Sequence, residues 1–338
     1  MSEWMGFSLV VVGGVMQGTY YLGLKYVSPW KWENIWSLYA VFALIVLPIG
    51  MAVATVPHLG EMLSHTPASA LTMVFLYGAG WGIGSVLSGL GVARMGMAMG
   101  VSVLLGVTAA IGTFVPLVAN TPQLVFTPKG LLVILSVITL LVGVWLAAVA
   151  GKKRDESISA QPASLEKGSF RAGLLICIFS GIFSAMLNMA FAFSQPMVKA
   201  GLATGASDFG ALNAVWMVAL AGGFIANGVY TGYLLTRNKS WSNFTISGTG
   251  LFWFYGLVMG VLWTGGVILY GRGAASMGAV GAVIGWPLFM AVMILASTIW
   301  GFVTGEWKGS SNRAKQYMVV GMLILLVASA LVGVANHM

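Results

Sequence analysis

The sequence returns repeatedly to apolar runs long enough to cross a lipid bilayer. A helix needs about 20 mainly apolar residues to span the hydrocarbon core. Runs of that kind predict helices at 6–24, 34–56, 69–92, 97–119, 130–150, 170–193, 210–235, 248–270, 277–303 and 317–337. With 59% of its 338 residues hydrophobic and 7% charged, the chain leaves no room for a water-soluble domain. The expected fold is an all-α polytopic membrane protein with ten transmembrane helices.

Within those runs, the stretch from Phe75 to Leu105 is the richest in structural instruction. Gly78 and Gly82, Gly80 and Gly84, and Gly96 and Gly100 each stand four residues apart. That spacing puts small residues on one helical face and lets membrane helices approach backbone to backbone. Arg94, the stretch's single charge, marks a turn between two helices, because a guanidinium at bilayer depth is costly. Displaced by 178 residues, Tyr77-Gly78 falls on Tyr255-Gly256, Gly82 on Gly260, Arg94 on Arg272 and Met99-Gly100 on Met277-Gly278. We read this as an internal duplication. It divides the chain into a first five-helix repeat at 1–150, a cytoplasmic linker at 151–169 and a second five-helix repeat at 170–338. Because five is odd, the second copy enters the membrane in the opposite sense. Many secondary transporters are built from such inverted repeats, with the substrate between the halves.

Basic residues set the orientation. Loops after the odd-numbered helices hold Lys25, Lys31, Arg94, Lys152, Lys153, Arg154, Lys167, Arg171, Arg237, Lys239, Lys308, Arg313 and Lys315; the alternate loops hold Lys129, Lys199 and Arg272. Thirteen against three predicts that the first set is cytoplasmic and that both termini lie outside. Basic residues scattered singly between apolar runs fit a lipid bilayer as partner and argue against nucleic acid. The single cysteine, Cys177, excludes an intramolecular disulfide and reads as a small packing residue.

An enzyme is not expected. There is no phosphate-binding GxxxxGK[ST] loop, and His58, His65 and His337 lack metal-ligand spacing. No cofactor or metal is anticipated, and uphill transport would draw on an ion gradient, with H+ as the coupling ion. Of the eight carboxylates, Glu33 is the most informative. It sits at the start of helix two, and Lys25, at the end of helix one, is its expected partner. A carboxylate beside a lysine can switch partner on protonation; the plainer alternative is an acid favoured by the helix dipole. Asp208 is a second proton-coupling candidate, with an N-terminal cap as its alternative.

Polar and aromatic residues inside the spans make the second set: Gln17, Tyr20, Tyr21, Trp81, Ser85, Asn188, Asn213, Trp263 and Trp286, with Asn227 and Thr264 beside them. A sugar needs hydrogen-bonding groups and a flat apolar platform, which amides and indoles supply. Each residue alone also fits helix packing. Together they suggest a polar cavity. Pro48, Pro116 and Pro287 lie inside spans and predict kinks or breaks, with Trp286-Pro287 placed to expose backbone to a ligand.

Several stretches are familiar as a group: KYVSPWKWENIWS at 25–37, Trp81-Gly-Ile-Gly84 running to Gly100, Gly181-Ile-Phe-Ser-Ala185, and Trp263 through Tyr270 and Trp286 to Glu306-Trp307. In these, the whole chain resembles the bacterial L-rhamnose–proton symporter family of the drug/metabolite transporter superfamily. The resemblance implies ten helices in inverted repeats, a bacterial inner-membrane location and proton-driven uptake of a small 6-deoxy sugar such as L-rhamnose or L-fucose. An exporter or passive facilitator of another metabolite on the same scaffold is the alternative. Where the family pattern places polar and acidic groups in helix nine, this chain has Gly278-Ala-Val-Gly-Ala-Val-Ile-Gly285, and it has Gly265-Gly266 in helix eight. A roomier and less polar cavity is the expectation.

Overall fold

The computed structural model describes residues 3–95, 97–158 and 167–338. Among these residues there is no strand, and ten helices are long and apolar enough to cross a membrane. They are α1 (Trp4–Tyr26), α2 (Trp32–Thr55), α3 (Ala68–Val92), α4 (Met99–Asn120), α5 (Pro128–Ile158), α6 (Arg171–Ala203), α7 (Asp208–Arg237), α8 (Gly250–Ser276), α9 (Gly278–Val303) and α10 (Asn312–His337). The expected count and order hold. Two boundaries move. The helix of α5 continues to Ile158, so residues 151–158 of the expected linker are helical, and 159–166 lie outside the described residues. α6 pauses at Phe193-Ser194 and resumes through Gln195–Ala203, beyond the predicted end.

Glycine decides which helices touch. A methyl group at Gly78 would overlap the Ala219 carbonyl, and one at Gly82 would lie 2.9 Å from Gly223 Cα, so α3 rests directly on the backbone of α7. Gly80 and Gly84, two residues along, turn to Met186 and Ser184 of α6. The two offset pairs thus serve two neighbours. α1 uses the same device: Gly13 rests against the Gly266 carbonyl of α8, and Gly14 and Gly18 against Val292 and Ala296 of α9. Gly96 lies outside the described residues, and Gly100 packs on Val92 across the α3–α4 turn. The glycines 178 residues beyond Gly78 and Gly82, Gly256 and Gly260, rest on Leu38 and Phe42 of α2.

Further large contacts pair α5 with α10 and α4 with both α6 and α5. α9 is the most enclosed of the ten. Its glycines admit neighbours instead of opening a cavity: Gly281 lies against the Ala274 carbonyl, and Gly285 is 3.2 Å from Ala274 Cβ, both measured from a methyl built at the glycine. The space expected to be roomier is filled by α8 at 281–285, while a methyl at Gly278 would meet nothing within 4 Å.

The prolines do not break their helices. α4 and α9 run without interruption through Pro116 and Pro287. Before Pro48, α2 adopts one wide turn over Phe42–Val46, in which the Leu47 N–H reaches back to the Phe42 carbonyl. The next carbonyl in that register belongs to Ala43 and would need an N–H from residue 48, which proline lacks. The Thr264 hydroxyl of α8 donates to it instead, at 2.7 Å.

Candidate functional site

Trp81 of α3 and Trp263 of α8 meet at the middle of the bundle, with ring centroids 4.9 Å apart and planes inclined by 38°. Local chemistry puts them there. Gly223 of α7 has no side chain to obstruct the Trp81 ring, whose Cε3 lies 2.7 Å from where a methyl would be. The Thr264–Ala43 bond clamps α8 to α2 one residue from Trp263. Tyr39 of α2 meets Trp263 edge-on at 6.2 Å, and Trp36 and Tyr20 pack against Tyr39 at 4.8 and 5.3 Å.

Amides line this aromatic wall. Gln17 Nε2 donates to the Trp263 carbonyl at 2.9 Å. Asn227 Oδ1 accepts from Trp36 Nε1 at 3.0 Å and from Ser85 Oγ at 3.3 Å, while its Nδ2 donates to the Gly223 carbonyl at 3.0 Å. Gln17, Tyr20, Trp81, Ser85 and Trp263 are therefore one constellation, drawn from both halves of the sequence. Tyr21 sits at its edge, half exposed, against Tyr20 and Trp36. Tyr39 and Trp36 belong to it as well. They were hidden in the sequence because aromatic residues in a span look like ordinary core or lipid-facing positions.

Trp286 and Asn188 form a second centre, separate from the first. Trp286 Nε1 donates to the Thr108 carbonyl at 3.1 Å, and its ring lies against Tyr270 and Phe289 at 5.5 and 5.9 Å. Tyr270 is seven residues beyond Trp263, about 10 Å further along α8 on nearly the same face. Asn188 Nδ2 donates to the carbonyls of Gly112, at 2.7 Å, and Ala282, at 3.1 Å, and its Oδ1 accepts from the Tyr270 hydroxyl. Gly112 is four residues before Pro116, so its carbonyl has lost its helical donor, and Asn188 supplies the replacement. Near Trp286-Pro287 the same amide reaches the Ala282 carbonyl, next to the Val283 carbonyl that Pro287 deprives of its helical donor. Asn213 lies in a third place, donating to Thr55 Oγ1 at 3.0 Å near the opposite ends of α2 and α7.

The charged groups also pair differently from expectation. Lys25 Nζ bonds the Glu306 carboxylate and donates to Thr304 Oγ1 at 2.6 Å, not to Glu33. Arg154 approaches the other Glu306 oxygen at 3.5 Å and lies over the Trp307 ring. Nearness in sequence misled here, because the seven-residue 3₁₀ end of α1, Tyr20–Tyr26, carries Lys25 toward the end of α9. Glu33, only 4% exposed, accepts from Ser240 Oγ at 2.7 Å and Asn238 Nδ2 at 3.0 Å, both in the α7–α8 connection. Lys31 Nζ donates to the Asn238 carbonyl at 2.9 Å beside it. Asp208 is exposed in the first turn of α7, and the cap there is Ser207, whose Oγ accepts from Gly210 N. Asp208 is a first-turn acid, not the cap.

A buried carboxylate at one membrane face and a two-sided indole and amide wall at mid-span are the parts of a small-solute carrier. The comparisons agree. The family model of the L-rhamnose-proton symport protein (RhaT) matches residues 2–337. An L-rhamnose-proton symporter of Escherichia coli O17:K52:H18 is 30% identical over 338 residues, covering 97% of each chain. Proteins of the same name from Citrobacter koseri and Salmonella gallinarum are 29% and 28% identical, each over 97% of both chains. These are sugar–proton symporters by name, not enzymes. With nearly its whole length matched, this multi-pass membrane protein belongs to the L-rhamnose-proton symport protein family.

Proposed function

We propose that the protein takes up L-rhamnose, or a closely similar 6-deoxy sugar, together with a proton, by alternating access across the bacterial inner membrane. The observation that carries this reading is the family match over residues 2–337, joined to an indole pair whose members come from opposite halves of the chain. Indole faces suit the methyl group and C–H edges of a deoxy sugar, and amides suit its hydroxyls. Gln17, Tyr20, Trp81, Ser85 and Trp263, with Tyr21 at the rim, form the proposed binding wall. The relatives' names give no support to an exporter or facilitator.

In this reading, 1–150 and 170–338 are inverted repeats. Support comes from Gly78 and Gly82 seating α3 on α7 while their counterparts Gly256 and Gly260 seat α8 on α2. The loop charges favour a cytoplasmic position for the α1–α2, α5–α6 and α7–α8 connections and periplasmic termini. Glu33 is the proposed proton carrier. Ionised, it takes the Ser240 and Asn238 donors and ties α2 to the α7–α8 connection; protonated, it has less attraction for both and releases them. Lys25 has no part in that exchange; its partner is Glu306.

The test is L-rhamnose accumulation in proteoliposomes under an imposed pH gradient. The wild type should accumulate sugar, and a protonophore should abolish accumulation. Glu33→Gln should lose accumulation and keep exchange of labelled sugar between equal compartments, because exchange needs alternating access but no net proton movement. Accumulation by Glu33→Gln equal to wild type would remove Glu33 from coupling. Sugar uptake indifferent to the gradient in the wild type would overturn symport.

A further inference from the structure

Among the described residues, few buried side-chain polar atoms have no hydrogen-bond partner: Trp30 Nε1, Tyr39 Oη, Asn213 Oδ1, Trp216 Nε1 and Asn336 Nδ2. A buried hydroxyl left unpaired costs free energy that natural proteins rarely accept without a reason. Tyr39 differs from the others in position. Its ring touches Trp263, which in turn touches Trp81. Trp30 instead packs with Phe244, Phe252 and Trp253, and Trp216 with Phe191 and Tyr270. Tyr39 is 1% exposed, so bulk water does not satisfy it, and its polar neighbour, the Tyr20 phenol, interacts with it without completing a well-formed hydrogen bond.

We propose that Tyr39 is a substrate-binding residue, whose hydroxyl is held in reserve for a hydroxyl of the sugar seated against Trp81 and Trp263. A phenol both donates and accepts, as does a sugar hydroxyl, so the two form a bond in either direction. The backbone holds the phenol in place. Tyr39 lies one turn before Ala43, whose proline-freed carbonyl is bonded to Thr264, the neighbour of Trp263. Tyr39 and the indole platform are therefore fixed to each other across α2 and α8. The proposal rests on the sugar-transport reading and adds a consequence. Tyr39 stands six residues from Glu33, about 9 Å along α2. One helix then carries both the sugar contact and the proposed proton carrier, so a sugar that draws on Tyr39 acts on the element whose end Glu33 anchors.

The experiment measures L-rhamnose binding to wild type and Tyr39→Phe in detergent by calorimetry, alongside melting of both without sugar. Phenylalanine keeps the ring and its contacts. Since the hydroxyl makes no well-formed hydrogen bond in the free protein, the sugar-free melting temperature should be nearly unchanged, while L-rhamnose affinity falls about five- to tenfold. Across a series of singly deoxygenated rhamnoses, one analogue should bind the variant and the wild type equally well, identifying the hydroxyl that Tyr39 contacts. Equal affinity of both proteins for L-rhamnose overturns the proposal and leaves the transport reading intact. A lower melting temperature with unchanged discrimination among the analogues makes Tyr39 a packing residue and also overturns it. Failure of the wild type to bind any 6-deoxy sugar overturns the transport reading, and the proposal with it.

Discussion

Trp263 and Trp286 are alike in the sequence, each an indole within a second-half span, yet they meet different neighbours. Trp81→Ala and Trp263→Ala should each weaken L-rhamnose binding by about 1–3 kcal/mol, as loss of an aromatic platform does. Trp286→Ala should instead lower stability by about 3–5 kcal/mol, because its ring fills the core beside Tyr270 and Phe289. Calorimetric titration and thermal melting in detergent separate the two outcomes. Asn188→Ala strands the carbonyls of Gly112 and Ala282 and the Tyr270 hydroxyl. A stability loss of about 1–3 kcal/mol is expected, read by melting without sugar. The sequence named Asn188 as polar and mid-span but could not assign its task, which depends on a carbonyl freed by Pro116 on another helix. The Lys25–Glu33 pairing failed for a related reason: Glu306 is 281 residues from Lys25, and only the assembled bundle brings them together.

At the scale of helices, bilayer thickness made the spans legible to within a few residues except at the far ends of α5 and α6, and glycine spacing made the close contacts legible. What spacing could not give was the partner. Gly78 and Gly82 face α7, while Gly80 and Gly84 face α6, and the two pairs differ by a rotation that needs the neighbours to be known. Gly82→Leu should push α3 off α7 and destabilise the protein by about 1–3 kcal/mol or more. Gly50→Ala, where a methyl group meets nothing within 4 Å, should be neutral or slightly stabilising, since alanine orders more cheaply in a helix. Melting of the two variants side by side is the check. The prolines were legible as irregularities and misleading as breaks. Thr264 and Asn188 satisfy freed carbonyls that would otherwise have unravelled the turns.

For the whole molecule, loop charge predicts which face meets the cytoplasm. On a Cys177→Ala background, cysteine at Ser242 should resist a membrane-impermeant maleimide in intact cells and react in inverted vesicles. Cysteine at Gln123, exposed on the opposite connection, should do the reverse. Both side chains reach solvent, so the reverse labelling pattern would turn the topology over. Family and architecture were readable because both are written along the entire chain. The binding wall was readable only in part, since its members come from α1, α2, α3, α7 and α8. The glycine contacts have a mechanical consequence. Backbone lying on backbone leaves few interlocking teeth: where α3 crosses α7 and α1 crosses α8, the Trp81 ring over Gly223 and the Gln17 stem over Gly266 are the main catches. Apart from those catches, sliding one helix along the other asks little rearrangement of the side chains between them, as a carriage moves on a rail. In the proposed cycle, work from sugar or proton is then spent on the fastenings at the ends of the track, Glu33 with Ser240 and Lys25 with Glu306.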